Sequence, residues 1–210
     1  TSSYNSLVDL SAPGNGVYST WINGGYTYST GSSFSAPYVA GAAAIIKAHY
    51  PNYSAIQIAQ QIKATTDNID TIAANAPYIG MLGTGRLNLY RALTESGIPS
   101  VTMLSKATED NNDNLYSSSD TIRVWGTFKN YLASTSNNFK VTLSSDCPYV
   151  QILNNSTTLG IIPMLGTADN SIDPFTIKVL AGVPASYQAN FKLTYEDKFL
   201  GYKAYEYFSI

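Results

Sequence analysis

The sequence predicts a mixed α/β segment over residues 1–97 followed by an all-β, immunoglobulin-like sandwich over residues 98–210. Three observations predict it. Helical periodicity with capping signals occurs only before Gly97. Short runs alternating apolar and polar residues take over from Ser100. Between the two patterns, Gly97-Ile98-Pro99 reads as a linker.

Ser6-Leu7-Val8-Asp9-Leu10 is predicted as a short strand, closed by the turn Ser11-Ala12-Pro13-Gly14. Val17 to Trp21 is a second extended segment, and a Gly24-Gly25 turn leads into Tyr26-Thr27-Tyr28. A helix is expected from about Ala36 to Tyr50. Pro37 suits its first turn, where a missing N–H costs nothing, and Pro51 ends it. Ser54, with Gln57 three residues on, forms a capping box for a second helix carried by Ile56, Ala59 and Ile62. A third short helix spans roughly Leu87 to Glu95, with Gly97 as its C′ residue. Beyond the linker, the runs 121–125, 139–143, 175–179 and 191–195 alternate like half-buried strands, broken by turn clusters at 134–138 and 166–170.

The helix near residues 37–50 is apolar almost all round: Val39 to Ile46 holds no polar side chain before Lys47. Such a helix must be covered on all sides. Residues 1–97 offer too little material for that, so either the β-domain packs there or the chain lacks structure that normally precedes it, which is the preferred reading; left uncovered, the helix implies a dimer, a domain swap or a companion chain.

Composition narrows the function. Charged residues are 12% of the chain and the net charge is −2, too weak for a nucleic-acid or membrane-surface partner. Polarity comes instead from Ser, Thr, Asn and 17 Tyr, which suits a secreted or cell-surface protein. No run of about 18 apolar residues occurs, so no membrane span is expected. Thr1-Ser2-Ser3-Tyr4 has neither a basic nor an apolar leader region, so no signal peptide is visible. The single Cys147 excludes an internal disulfide framework and reads as a small buried hydrophobe. With one histidine, His49, no mechanism needing two imidazoles can be housed in this chain.

The chemistry-bearing stretch is Thr30-Gly31-Ser32-Ser33-Phe34-Ser35-Ala36-Pro37-Tyr38-Val39-Ala40-Gly41. It resembles the nucleophile motif of the subtilisin-like serine proteases, with Ser32 where that family usually has Thr. Upstream, Asp9-Leu10-Ser11-Ala12-Pro13-Gly14 and Val17-Tyr18-Ser19-Thr20 are similar to the family's strand, A-P-G turn and following segment. Downstream, Pro51-Asn52-Tyr53-Ser54 and Gly83-Thr84-Gly85-Arg86-Leu87-Asn88 match further pieces in the right order. The resemblance implies that residues 1–97 are the C-terminal portion of a three-layer peptidase domain with a parallel sheet, and that Ser33 is the catalytic nucleophile. It further implies a polypeptide substrate and no cofactor, with the Ser33 N–H as one oxyanion donor. The bland alternative for Ser33 is a helix N-cap serine.

A serine hydroxyl is a weak nucleophile unless a base takes its proton. The family's triad runs Asp, His, Ser in chain order, and its Asp and His segments are not in these 210 residues. His49 cannot replace them. It lies farther along the same predicted helix, roughly 24 Å from Ser33 at about 1.5 Å per residue. Asp9, the acid nearest the motif on its N-terminal side, reads as a solvated strand residue. We therefore expect this chain alone to be inactive. Its companions would be the missing part of the peptidase domain or, in another reading, a surface or partner bound by residues 98–210 in a non-catalytic module or pseudoprotease.

Outside the motif, Glu109-Asp110-Asn111-Asn112-Asp113-Asn114 offers oxygen ligands that could hold a structural calcium. Leu115 stands where an EF-hand loop needs Gly and Thr121 where it needs Glu, so a polar loop is the preferred reading. Tyr187, Phe191, Tyr195, Phe199, Tyr202, Tyr205, Tyr207 and Phe208 could mark a glycan- or surface-binding face, with core and edge packing as the default.

Overall fold

The computed structural model describes residues 4–110 and 115–210 and divides the chain into two units, Thr1–Ser96 and Gly97–Ile210. The chain is mostly sheet with few helices.

In the first unit, β1 (Val17–Thr20) and β2 (Tyr26–Ser29) form an antiparallel hairpin. Its turn is centred one residue earlier than the sequence predicts. Asn23 (φ 60°, ψ 30°) and Gly24 (φ 74°) take the left-handed conformations whose twist matches the flanking strands. The segment predicted as a strand before Ser11 has little pairing. Ser11 makes a parallel bridge to Arg86, its N–H donating to the Gly85 carbonyl while its carbonyl accepts from Leu87 N. A parallel sheet needs neighbouring strands paired over several residues, and among the described residues of this unit the parallel pairing is that single bridge.

Helix α1 spans Ser32–His49, four residues longer at its start than its apolar periodicity suggests. Gly31 precedes it at φ 158°, ψ 160°, a backbone region that a Cβ would make costly. The serines between Gly31 and Ala36 thus form the first turn, whose N–H groups lack helical acceptors. Pro37 lies inside the helix, not in its first turn. Having no N–H, it cannot bond the Ser33 carbonyl four residues back. Helix α2 (Ala55–Ala64) starts at the predicted capping box: Ser54 Oγ accepts from Gln57 N and Gln57 Oε1 accepts from Ser54 N. Helix α3 (Leu89–Thr94) is shorter than expected, with Glu95 as its C-cap, and Arg91 holds the Glu95 carboxylate through two nitrogens at 2.7 and 2.9 Å. Ile46, Ile58, Ile62 and Ala92 bring the three helices together, with Leu10, Tyr50 and Leu87 packed around them.

α1 buries only Ala42 and Ile46. Ala36, Ala40, Ala44, Ile45 and Ala48 remain exposed, so one apolar face is covered and another is not.

In the second unit, β3 (Val101–Glu109), β4 (Thr121–Asn130), β6 (Val150–Asn154) and β9 (Phe175–Val179) form one antiparallel sheet in the order β3-β4-β9-β6. β8 (Thr167–Asp169) pairs with β4 where the sequence suggests only a turn; three residues are too few for alternation to register. The other sheet has the order β11-β10-β5-β7, comprising β11 (Tyr202–Ser209), β10 (Asn190–Asp197), β5 (Lys140–Ser144) and β7 (Ser156–Thr158). The alternation has a direct physical outcome: Ile122, Val124, Phe128, Phe175 and Ile177 of the first sheet share one core with Val141, Leu143, Phe191, Leu193 and Tyr195 of the second. Buried side chains tie the strands further. Tyr195 OH donates to Glu206 Oε2 at 2.7 Å, and Val101 N donates to Tyr202 OH at 3.0 Å.

Phe191, Tyr195 and Tyr202 are therefore core residues, whereas Phe199 is exposed and Tyr205, Tyr207 and Phe208 are half-buried. Cys147 is a free, half-buried thiol packed at the margin of this core. Of the acidic run Glu109–Asn114, residues 111–114 lie outside the described residues; Glu109 pairs with Arg123 at 3.2 Å.

Candidate active site

Ser33 is the second residue of α1, exposed, and its hydroxyl makes no hydrogen bond to any described residue. Its position follows from the residues before it. Gly31 turns the chain out of β2, and Phe34 N donates back to the Gly31 carbonyl at 3.0 Å to close the first turn. The N–H groups of Ser32 and Ser33, ahead of Phe34, have no helical carbonyl to bond, and the helix adds its positive end there. An exposed hydroxyl beside such N–H groups has the surroundings that stabilise negative charge developing on a carbonyl oxygen.

The motif pieces separated in sequence meet in space. Gly31 N donates to the Gly14 carbonyl at 2.8 Å, joining the turn before Ser33 to the Ala12-Pro13-Gly14 turn. Beside it, Thr30 Oγ1 donates to Asn15 Oδ1 and accepts from Gly16 N, both at 3.0 Å. On the other side, Thr84 N donates to the Asp9 carbonyl at 2.9 Å, so the Gly83–Asn88 segment lies against Asp9–Ser11. Below that, Asp67 accepts from Arg86 Nη2 and Asn88 Nδ2, both at 2.9 Å, and the Arg86 bond holds its carboxyl below the usual carboxylate range. Sequence reading missed these contacts. Their only trace is the glycine in each piece, which marks close backbone approach.

The remaining candidates are elsewhere. His49 ends α1, at the far end of the helix from Ser33, with its ring edge-on to Tyr50 at 4.6 Å. Asp9 forms a surface ion pair with Lys63 at 2.8 Å. Neither approaches Ser33 as a base or its orienter. Among the described residues, no group of three or more His, Cys, Asp or Glu is placed to hold a metal ion, and no helix is long and apolar enough to cross a membrane.

The subtilase family matches residues 1–126, past the end of the first unit and through β3 into β4. The chain belongs to that family, a family of serine proteases. It is 41% identical to subtilisin DY of Bacillus licheniformis over 68 residues, which are 32% of this chain and 25% of that protein. It is 36% identical to a thermostable alkaline protease of Halalkalibacterium halodurans over 94 residues, 43% of this chain and 23% of the relative. The chain thus spans about a quarter of these relatives. A solved FixG-related protein from Vibrio parahaemolyticus aligns with 50% of this chain and 93% of its own, at a TM-score of 0.31 and 7% identity; so weak a likeness carries no argument.

Proposed function

We propose that this chain carries the nucleophile segment of a secreted subtilisin-like serine endopeptidase, with Ser33 attacking the scissile carbonyl of a polypeptide. The observation that carries the reading is Ser33 exposed in the first turn of α1 with its hydroxyl uncommitted. A histidine base takes the hydroxyl proton as the Ser33 Oγ–carbon bond forms. The tetrahedral oxyanion collapses, the C–N bond breaks, and the amine leaves with that proton. Water then hydrolyses the acyl-enzyme by the same route. His49 cannot serve as that base, so the imidazole and its aspartate partner come from polypeptide beyond these 210 residues, which also supplies the neighbouring strands of a parallel three-layer peptidase domain and the cover for the exposed face of α1. These residues alone have no peptidase activity in this reading.

The test uses the full-length protein. A fluorophosphonate probe is expected to label Ser33, and Ser33→Ala to abolish both labelling and casein hydrolysis. Activity surviving Ser33→Ala would remove the assignment.

A second reading concerns residues 98–210, favoured by the separate core that both sheets share. We read this unit as an appended immunoglobulin-like sandwich that attaches the protease to a surface or partner without chemistry of its own. The same reading extends to a pseudoprotease, in which fluorophosphonate labelling of the full-length protein would fail altogether.

A further inference from the structure

On the β1–β2 hairpin, three tyrosines stand on one solvent-facing side. Tyr18 lies directly across the ladder from Tyr28, and Tyr26 is its diagonal neighbour. The Tyr18 ring centroid is 4.9 Å from that of Tyr28 and 5.6 Å from that of Tyr26, the latter pair within 20° of parallel. Cross-strand aromatic pairing supports a two-stranded ribbon that is marginal by itself. That role does not call for three rings that remain 60% (Tyr18), 64% (Tyr26) and 72% (Tyr28) exposed. Exposed aromatic clusters on a soluble protein mark binding sites.

The surroundings select the ligand. From Leu10 to Ile46 the chain has no Asp, Glu, Lys or Arg, so the hairpin's own residues offer no ion to an anionic or cationic partner. It offers flat rings with phenolic hydroxyls, flanked by Thr20 and by the exposed Asn23 amide at the hairpin tip. Rings stack against C–H faces, while hydroxyls and an amide both donate and accept hydrogen bonds. A ligand that is apolar on its faces, rich in hydroxyls at its edges and without charge is a neutral polysaccharide. We propose that Tyr18, Tyr26 and Tyr28 form a stacking platform for a neutral glycan chain, independent of the chemistry at Ser33.

The 210-residue protein is incubated with insoluble cellulose, with insoluble mannan, with anionic pectate beads and with an immobilised proline-rich peptide. Retention on at least one neutral glycan, unchanged by added salt, is expected. Tyr18→Ala and Tyr28→Ala should each weaken it about fivefold to tenfold. Tyr90→Ala, an equally exposed tyrosine on α3, should leave it unchanged. Because alanine variants could unfold the hairpin, Tyr18→Phe/Tyr26→Phe/Tyr28→Phe is the companion: it keeps the rings and should retain most binding. No retention on either neutral glycan, salt-sensitive retention, preference for the proline-rich peptide, or equal loss in Tyr90→Ala would overturn the proposal. Ser33→Ala should not alter retention, so failure here is distinguishable from failure of the protease reading.

Discussion

Gly14 and Gly31 are in backbone contact: Gly31 N donates to the Gly14 carbonyl at 2.8 Å, and a Cβ built on Gly14 would lie 2.9 Å from the Gly31 carbonyl oxygen and closer still to Ser35 Oγ. The position of the turn that carries Ser33 is thereby set by a residue with no side chain.

Gly14→Ala should therefore push the entrance of α1 away and cost about 1–3 kcal/mol. Urea unfolding would measure the loss. On the proposed function, fluorophosphonate labelling of Ser33 in the full-length protein should slow, because the turn that carries its hydroxyl has moved.

Gln61 is 1% exposed, and its Nε2 donates to the Ala92 carbonyl at 3.0 Å and the Glu95 carbonyl at 2.7 Å. It supplies the donor that the end of α3 lacks. Gln61→Leu leaves two carbonyls without it and should destabilise the protein by about 1–3 kcal/mol, whereas a substitution at the exposed Tyr90 on α3 should cost little. Thermal melts of the two variants check this.

Burial pushes the Tyr202 hydroxyl up to about 12. In the unfolded chain it ionises near pH 10. Below that both states are neutral and its contribution is complete; as pH rises from about 10 towards 12 only the unfolded form ionises, and stability is lost. Urea titrations at increasing alkaline pH should show a falling midpoint. Tyr202→Phe should flatten that fall while costing about 1 kcal/mol at neutral pH through the lost bond from Val101 N.

The exposed face of α1 should make this chain self-associate when nothing else covers it. Ile45 is 47% exposed there. Sedimentation velocity should show Ile45→Glu shifting the protein towards monomer with little change in unfolding midpoint. A wild-type chain that is strictly monomeric at every concentration would contradict the expectation.

Features encoded locally were legible in the sequence. The Ser54–Gln57 capping box depends on two residues three apart, and the strands of the second unit depend on strict alternation, so both could be read without knowing a partner. Ser33 was legible as a candidate because its motif is contiguous. The start of α1 was not: periodicity resides in apolar residues, whereas Ser32, Ser33 and Ser35 enter the helix through the Gly31 turn. The same misplacement put Pro37 in the first turn when it is interior. The meeting of Gly14, Gly31 and Gly83 with their neighbours was invisible, because backbone-to-backbone contact leaves no pattern beyond the glycines themselves.

The hairpin and the turn that carries Ser33 share a stretch with no carboxylate, amine or guanidinium side chain. Nothing covalently near Ser33 changes its ionisation around neutrality. On the proposed reading, any pH profile for labelling of this serine in that range is therefore a readout of the groups that other segments bring to it.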